Sequence, residues 1–203
     1  MTTPQAVTDF WFGPQPAQDP AVLGPKMRRW FAGGPAMDAE IIAKFGATTE
    51  AAVRGELNAW AADAEGRLAL ILVLDQFTRS VYRDDARMYA GDVLAQELAG
   101  RGSDRRDCER WNFSVMPLGH AENLAMQEQA AREIEELVAA APPQLRGIFG
   151  MGIEQTRKYV DVIRRFGRFP HRNQLLGRAS TPEEVEFLRD WAAKQWPKDM
   201  TKA

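Results

Sequence analysis

The residues of this chain best suited to chemistry are its two histidines and a concentrated group of arginines. The stretch Arg165-Phe166-Gly167-Arg168-Phe169-Pro170-His171-Arg172-Asn173 holds one histidine, and from Val162 to Pro182 there is no acidic residue. Arg164, Arg165, Arg168, Arg172 and Arg178 all fall in that interval, in a chain whose net charge is -2. So much local positive charge must face either an internal carboxylate or an anionic ligand. A guanidinium is a planar fork of donors that matches a carboxylate or phosphate with two parallel hydrogen bonds. Arg79, Arg168 and Arg172 are therefore the candidate clamp for a small anion, with Asp75, Gln76 and Asn173 as further polar contacts and Trp11 and Phe169 as apolar walls. His120 and His171 are the acid–base candidates, because imidazole is the side chain that titrates near neutrality. Glu122 or Asp75 would orient one of them.

Each candidate has a structural alternative. Asp75 and Arg79 are four residues apart on an apolar helix, so they share a face and can form an ion pair that orients neighbouring helices. His120 follows Met116-Pro117-Leu118-Gly119, and the pattern predicts a helix from His120 to Ala140 with His120, Asn123 and Gln127 on one face. At such a position the positive end of the helix dipole disfavours a cation, leaving a neutral ring that serves as base or as cap. Arg83 continues the polar line of Gln76 and Arg79 along the central helix.

The elements that must position these groups read as helices throughout. Thr3 caps a first helix that buries Val7, Phe10 and Trp11, and a Pro-rich loop covers 14–20. A short helix is expected over Leu23–Phe31 and a longer one capped by Asp38, with a kink at Gly55. Arg67–Tyr82 is apolar around nearly its whole circumference, which predicts a central helix packed on several sides. A helix starting at Asp84 or Asp85 with Val93 inward follows, then one capped by Ser103 that ends near Pro117. Gly167 stops the helix before the arginine-rich stretch, and Thr181-Pro182-Glu183-Glu184 forms a capping box for the last one. The expected architecture is all-α, about eight helices in stacked antiparallel pairs forming one domain over 1–203.

The chemistry that this sequence argues against is as informative. One cysteine, Cys108, precludes an intrachain disulfide and fits a reducing cytoplasm. Cys108 lies in a charged segment and reads as a packed thiol rather than a nucleophile. There is no His-Glu-x-x-His and no other metal-ligand spacing, so no metal is expected. Gly147, Gly150 and Gly152 follow no strand, so they are not a dinucleotide fingerprint, and nothing calls for a cofactor. The balanced charge and the absence of interleaved aromatics argue against nucleic acid. No apolar run approaches the ~20 residues that span a bilayer, and the N-terminus lacks a secretory pattern. Oligomeric state is not legible.

Asp9-Phe10-Trp11-Phe12-Gly13, Leu74-Asp75-Gln76-Phe77-x-Arg79, Met116-Pro117-Leu118-x-His120-x-Glu122 and the Arg165–Asn173 stretch, followed by Leu176-Gly177-Arg178-x-Ser180-Thr181, together resemble the bacterial DUF924 family. The resemblance runs over nearly the whole chain and implies a tetratricopeptide-like helical fold, with no established activity to transfer. Thr78, Ser80, Gly119, Ala121, Asn123 and Tyr159 depart from the family pattern, and these changes remove two acids and one imidazole. Two readings stand: a cationic pocket for a small anionic metabolite, with or without catalysis by histidine, or a helical scaffold that holds a protein segment.

Overall fold

The computed structural model describes residues 2–194, and among these it is all-α with no strand. Helix α1 (Pro4–Phe12) starts as its sequence demands: Thr3 Oγ1 accepts from Ala6 N at 3.2 Å, Pro4 fills the first turn, and Gly13 (φ 75°) leaves it. Helix α2 (Pro20–Ala32) is longer than its apolar spacing predicts, because Asp19 caps it and Pro20 opens it. Helix α3 (Gly34–Val53) begins before Asp38, so Asp38 is not its cap; it is turned inward and forked on Arg83, Oδ1 to Nη2 at 2.7 Å. The expected kink at Gly55 is instead a helix end, with Gly55 at φ 78° and a 3-10 turn at Asn58–Ala62.

The predicted central helix is present, interrupted in a way that the sequence did not announce. Helix α4 (Ala64–Ile71) runs into a π-helical turn, Leu72–Phe77, and continues as α5 (Thr78–Val81). Its side chains from Leu68 to Leu74 are at most 2% exposed, which explains the apolar circumference. The wider turn re-aims the residues after it, and such turns recur at functional sites. Gly66 lets the 3-10 turn cross closely: a Cβ there would lie 2.0 Å from the Trp60 carbonyl oxygen.

The helix expected from Asp84 or Asp85 is split. A 3-10 turn (Ala86–Tyr89) capped by Asp85 precedes α6 (Asp92–Ala99), on which Val93 faces outward at 68% exposure. Helix α7 (Cys108–Gly119) is capped by Asp107 rather than Ser103, whose hydroxyl donates to Glu133, and it continues through Pro117. Helix α8 (Leu124–Ala140) starts four residues later than predicted, with Asn123 Oδ1 accepting from Met126 N. Helix α9 (Arg146–Phe166) packs along α8 and ends at Gly167 in the left-handed region, φ 68°.

After a 3-10 turn at Pro170–Arg172, α10 (Pro182–Lys194) opens on the predicted box: Glu184 N donates to Thr181 Oγ1 at 3.2 Å and Thr181 N donates to Glu184 Oε2 at 2.8 Å. Thr181→Ala removes one arm of it. The expected cost is about 1 kcal/mol, or a melting temperature lower by roughly 2–4 °C in a thermal unfolding scan.

Two apolar clusters organise these helices. The larger gathers Trp11, Trp30, Phe45, Phe77 and Phe113, with Trp11 and Trp30 stacked and the other ring pairs edge-on or tilted. The smaller gathers Val162, Ile163 and Phe169, with Tyr159, Phe166, Phe187 and Trp191 against it. The central helix belongs to the first and the turn after Gly167 to the second, so charged side chains meet along the seam between them.

Candidate functional site

At that seam the π-helical turn presents Asp75, a carboxylate only 1% exposed. Asp75 Oδ1 lies 2.7 Å from His120 Nδ1, and Oδ2 accepts from Gln76 Nε2, which also approaches Met116 Sδ at 3.2 Å. Burial alone would raise the Asp75 carboxyl, but the charges of His120 and Arg79 outweigh it and hold it at about 2. An ionised carboxylate can only accept, so Nδ1 carries the hydrogen of this contact. The 3.5 Å approach of Arg79 Nη2 to Nδ1 is then a contact between two donors and not a hydrogen bond. The His120 side chain keeps 21% exposure, so one edge of the ring reaches solvent, and among the described residues Nε2 has no hydrogen-bond partner.

His120 does not begin a helix. It follows the last residue of α7, with its N–H on the Met116 and Pro117 carbonyls, because α7 runs on through Pro117 to Gly119 and α8 waits for Asn123. His120 therefore lies at the C-terminal end of a helix and not at the positive end of a helix dipole. Side chains hold this helix end: Gln127, fully buried, donates from Nε2 to the Gly119 and Ala121 carbonyls, both at 2.7 Å, and Arg172 Nη2 donates to the His120 carbonyl at 3.0 Å.

Asp92, at the start of α6, joins the arginines. Arg79 Nη2 reaches its Oδ1 at 2.9 Å and Arg172 Nη1 its Oδ2 at 3.3 Å, while Arg79 Nη1 donates to the Met88 carbonyl. Burial pushes the Asp92 carboxyl up against the pull of Arg79. Burial also works against the Arg79 charge, and Asp75 and Asp92 overcome it. For Arg172 burial wins and lowers the guanidinium below its usual value, although it remains charged. Tyr89 lies against both cations, with Arg79 at 5.3 Å and Arg172 at 4.7 Å from its ring centre, and Phe169 covers the other side of Arg172 at 4.6 Å.

The structure thus brings together Asp75, Gln76, Arg79, His120, Arg172 and Phe169. Glu122 stands behind them, forked on Arg178 and accepting from Phe169 N at 2.8 Å. Other predicted residues lie apart. Arg168 is forked on Glu184 and donates to the Ala179 carbonyl, and Asn173 donates to the same Glu184 and to Ser180. His171 stacks on Trp191 at an interplanar angle of 3°. The His171 ring is exposed at the chain surface, yet the covered face and the nearby Arg172 charge push the imidazole down. Trp11 sits in the larger core against Trp30, Phe77 and Phe113.

Asp92 and Tyr89 were missed by sequence reasoning, whereas Gln127 was placed on a face with His120 and holds the helix end instead. The one available signal was Gly91 before Asp92, a small residue where the chain passes closely over another. A cleft of about 80 Å³ beside Leu70 and Leu98 and an open groove of about 420 Å³ over Val160 do not include the His120 cluster. Among the described residues no group of three His, Cys, Asp or Glu side chains is arranged to hold a metal. Burial pushes the Cys108 thiol up, the opposite of what a nucleophile needs. Among the described residues no helix is long and apolar enough to cross a membrane.

Comparison with known proteins agrees with the motif reading. A solved structure of a protein of unknown function from Agrobacterium tumefaciens is similar at 33% identity and a TM-score of 0.72, over 92% of this chain and 97% of that one. No curated protein matches. Residues 7–191 match the model for a bacterial protein of unknown function, DUF924, and with motifs, fold and matched span in agreement the chain belongs to the DUF924 family.

Proposed function

We propose that the edge of His120 is the working site and that it takes a small anionic metabolite, with His120 as the proton-transferring group and Arg79 and Arg172 as its cationic flanks. The observation that carries this is the 2.7 Å contact between the buried Asp75 carboxylate and Nδ1 of a half-buried imidazole. A buried acid that fixes the tautomer and orientation of a histidine is how proteins prepare Nε2 to accept or give a proton. Gln127 and Arg172 hold the backbone of the same residue, so the ring is fixed from both ends. Arg168 supports the site from a distance by anchoring α10, and Trp11 by filling the core.

The test is a thermal-shift series with acetate, dimethyl phosphate and inorganic phosphate on the wild type and His120→Asn. An anion at about ten times its Kd should add roughly 1.4 kcal/mol of stability to the wild type, a rise of roughly 3–6 °C, and leave the variant unmoved. Equal shifts in both proteins would place the anion elsewhere. No shift with any anion would favour the other reading, a tetratricopeptide-like scaffold for a protein segment.

A further inference from the structure

The charges facing His120 cancel in pairs. Asp75 and Arg79 face it from the central helix, Asp92 from α6 and Arg172 from the 3-10 turn after Gly167. Tyr89, from the turn before α6, touches both guanidiniums and adds no charge at neutral pH. Behind the ring, Glu122 is matched by Arg178. Asp92 lies between the two guanidiniums, 2.9 Å from Arg79 Nη2 and 3.3 Å from Arg172 Nη1. Two carboxylates thus meet two guanidiniums, and one further pair closes on itself.

With a neutral imidazole this set has no net charge. With a protonated one it carries a single surplus positive charge. An anion entering it is balanced only if a proton comes with it, and a second negative charge on the ligand would have nothing left to meet. In a partly buried site that imbalance is far less screened than in water.

We propose that the site binds one negative charge together with one proton on His120, so that its ligand class is the monoanion, a carboxylate or phosphodiester, and not the dianionic phosphomonoester. This rests on the reading of His120 as the ligand-binding group given above. It adds a charge limit that the arginine-rich sequence does not suggest, since five arginines between 162 and 182 invite the opposite expectation.

The two histidines make the experiment direct, because His120 reports and His171 is the internal control. Protein labelled with 15N is titrated with acetate, dimethyl phosphate and methyl phosphate at a pH of about 8, where a phosphomonoester is a dianion. The same titrations are repeated calorimetrically in two buffers of different ionisation heat. The expected result is that acetate and dimethyl phosphate move the His120 resonances and not those of His171, with about one proton taken up per anion. Affinity should fall as pH rises, and methyl phosphate should bind at least about tenfold more weakly, a gap of about 1.4 kcal/mol.

Methyl phosphate binding as tightly as acetate, or acetate binding with no proton uptake, overturns the monoanion limit and leaves His120 as a ligand site. Silence of His120 toward all three probes overturns both readings. His120→Asn should take up no proton, and if that variant does not fold, the two-buffer calorimetry on the wild type decides alone.

Discussion

Asp75→Asn is expected to lower the unfolding free energy by about 2–5 kcal/mol and the melting temperature by roughly 4–20 °C. The carboxylate is 1% exposed and bonded to His120 and Gln76, with Arg79 at 3.5 Å, so the amide keeps the shape and removes the charge that these partners face. Asp92 still serves Arg79, which places the outcome below a full orphaned cation. The pH dependence follows from the same group. Its folded value, about 2, is below the ordinary 3.8, so its contribution is fully present above pH ~4 and is lost as pH falls through the folded value. The wild type should therefore lose stability on acidification between about pH 4 and 2 more steeply than Asp75→Asn. Urea unfolding of both proteins across that interval checks the sign, and parallel curves would remove Asp75 from the account.

Gly91→Ala is the second large effect. A Cβ at Gly91 would lie 2.4 Å from the Leu74 carbonyl oxygen and 2.9 Å from its Cα, and neither atom belongs to a side chain that can swing away. Leu74 sits in the π-helical turn, and its carbonyl already accepts from Thr78 Oγ1 at 2.8 Å. Either α6 lifts or the turn reshapes, at a cost of about 3 kcal/mol, the upper end for overpacking. Because α6 carries Asp92, the variant should also change the His120 resonances while leaving those of His171 in place. A fully stable Gly91→Ala with unchanged His120 would mean that the close crossing does not position the site.

The large features were legible because they follow from local chemistry. Gly167 ends a helix because only a residue without Cβ enters the left-handed region freely, and Thr181 with Glu184 closes a box within one turn. Asp75 and Arg79 were readable as a pair from their spacing. Of the groups expected to meet, Arg79, His120 and Arg172 come together, whereas His171 lies on Trp191 and Arg168 on Glu184. What failed had tertiary causes. Pro117 read as a helix end because its ring hinders an interior position, yet α7 runs through it to Gly119, and His120 moved from the start of one helix to the end of another. Arg168 looked available because its neighbours carry no acid, whereas Glu184 comes to it from sixteen residues away. Asp92 was invisible because its partners are thirteen and eighty residues distant.

The partner of Arg168 and Asn173 has a consequence for how the molecule is made. Glu184 follows Arg168 by sixteen residues and Asn173 by eleven, so until the chain through α10 has left the ribosome these two groups have only water to satisfy them. The same helix brings Trp191 to His171, closing the smaller core. Assembly from the N-terminus can set the larger core early, whereas the region around Phe169 must wait for α10 to emerge. A stalled or prematurely terminated product should thus be recognisable to proteases at the stretch after Gly167 while its first two-thirds resist them.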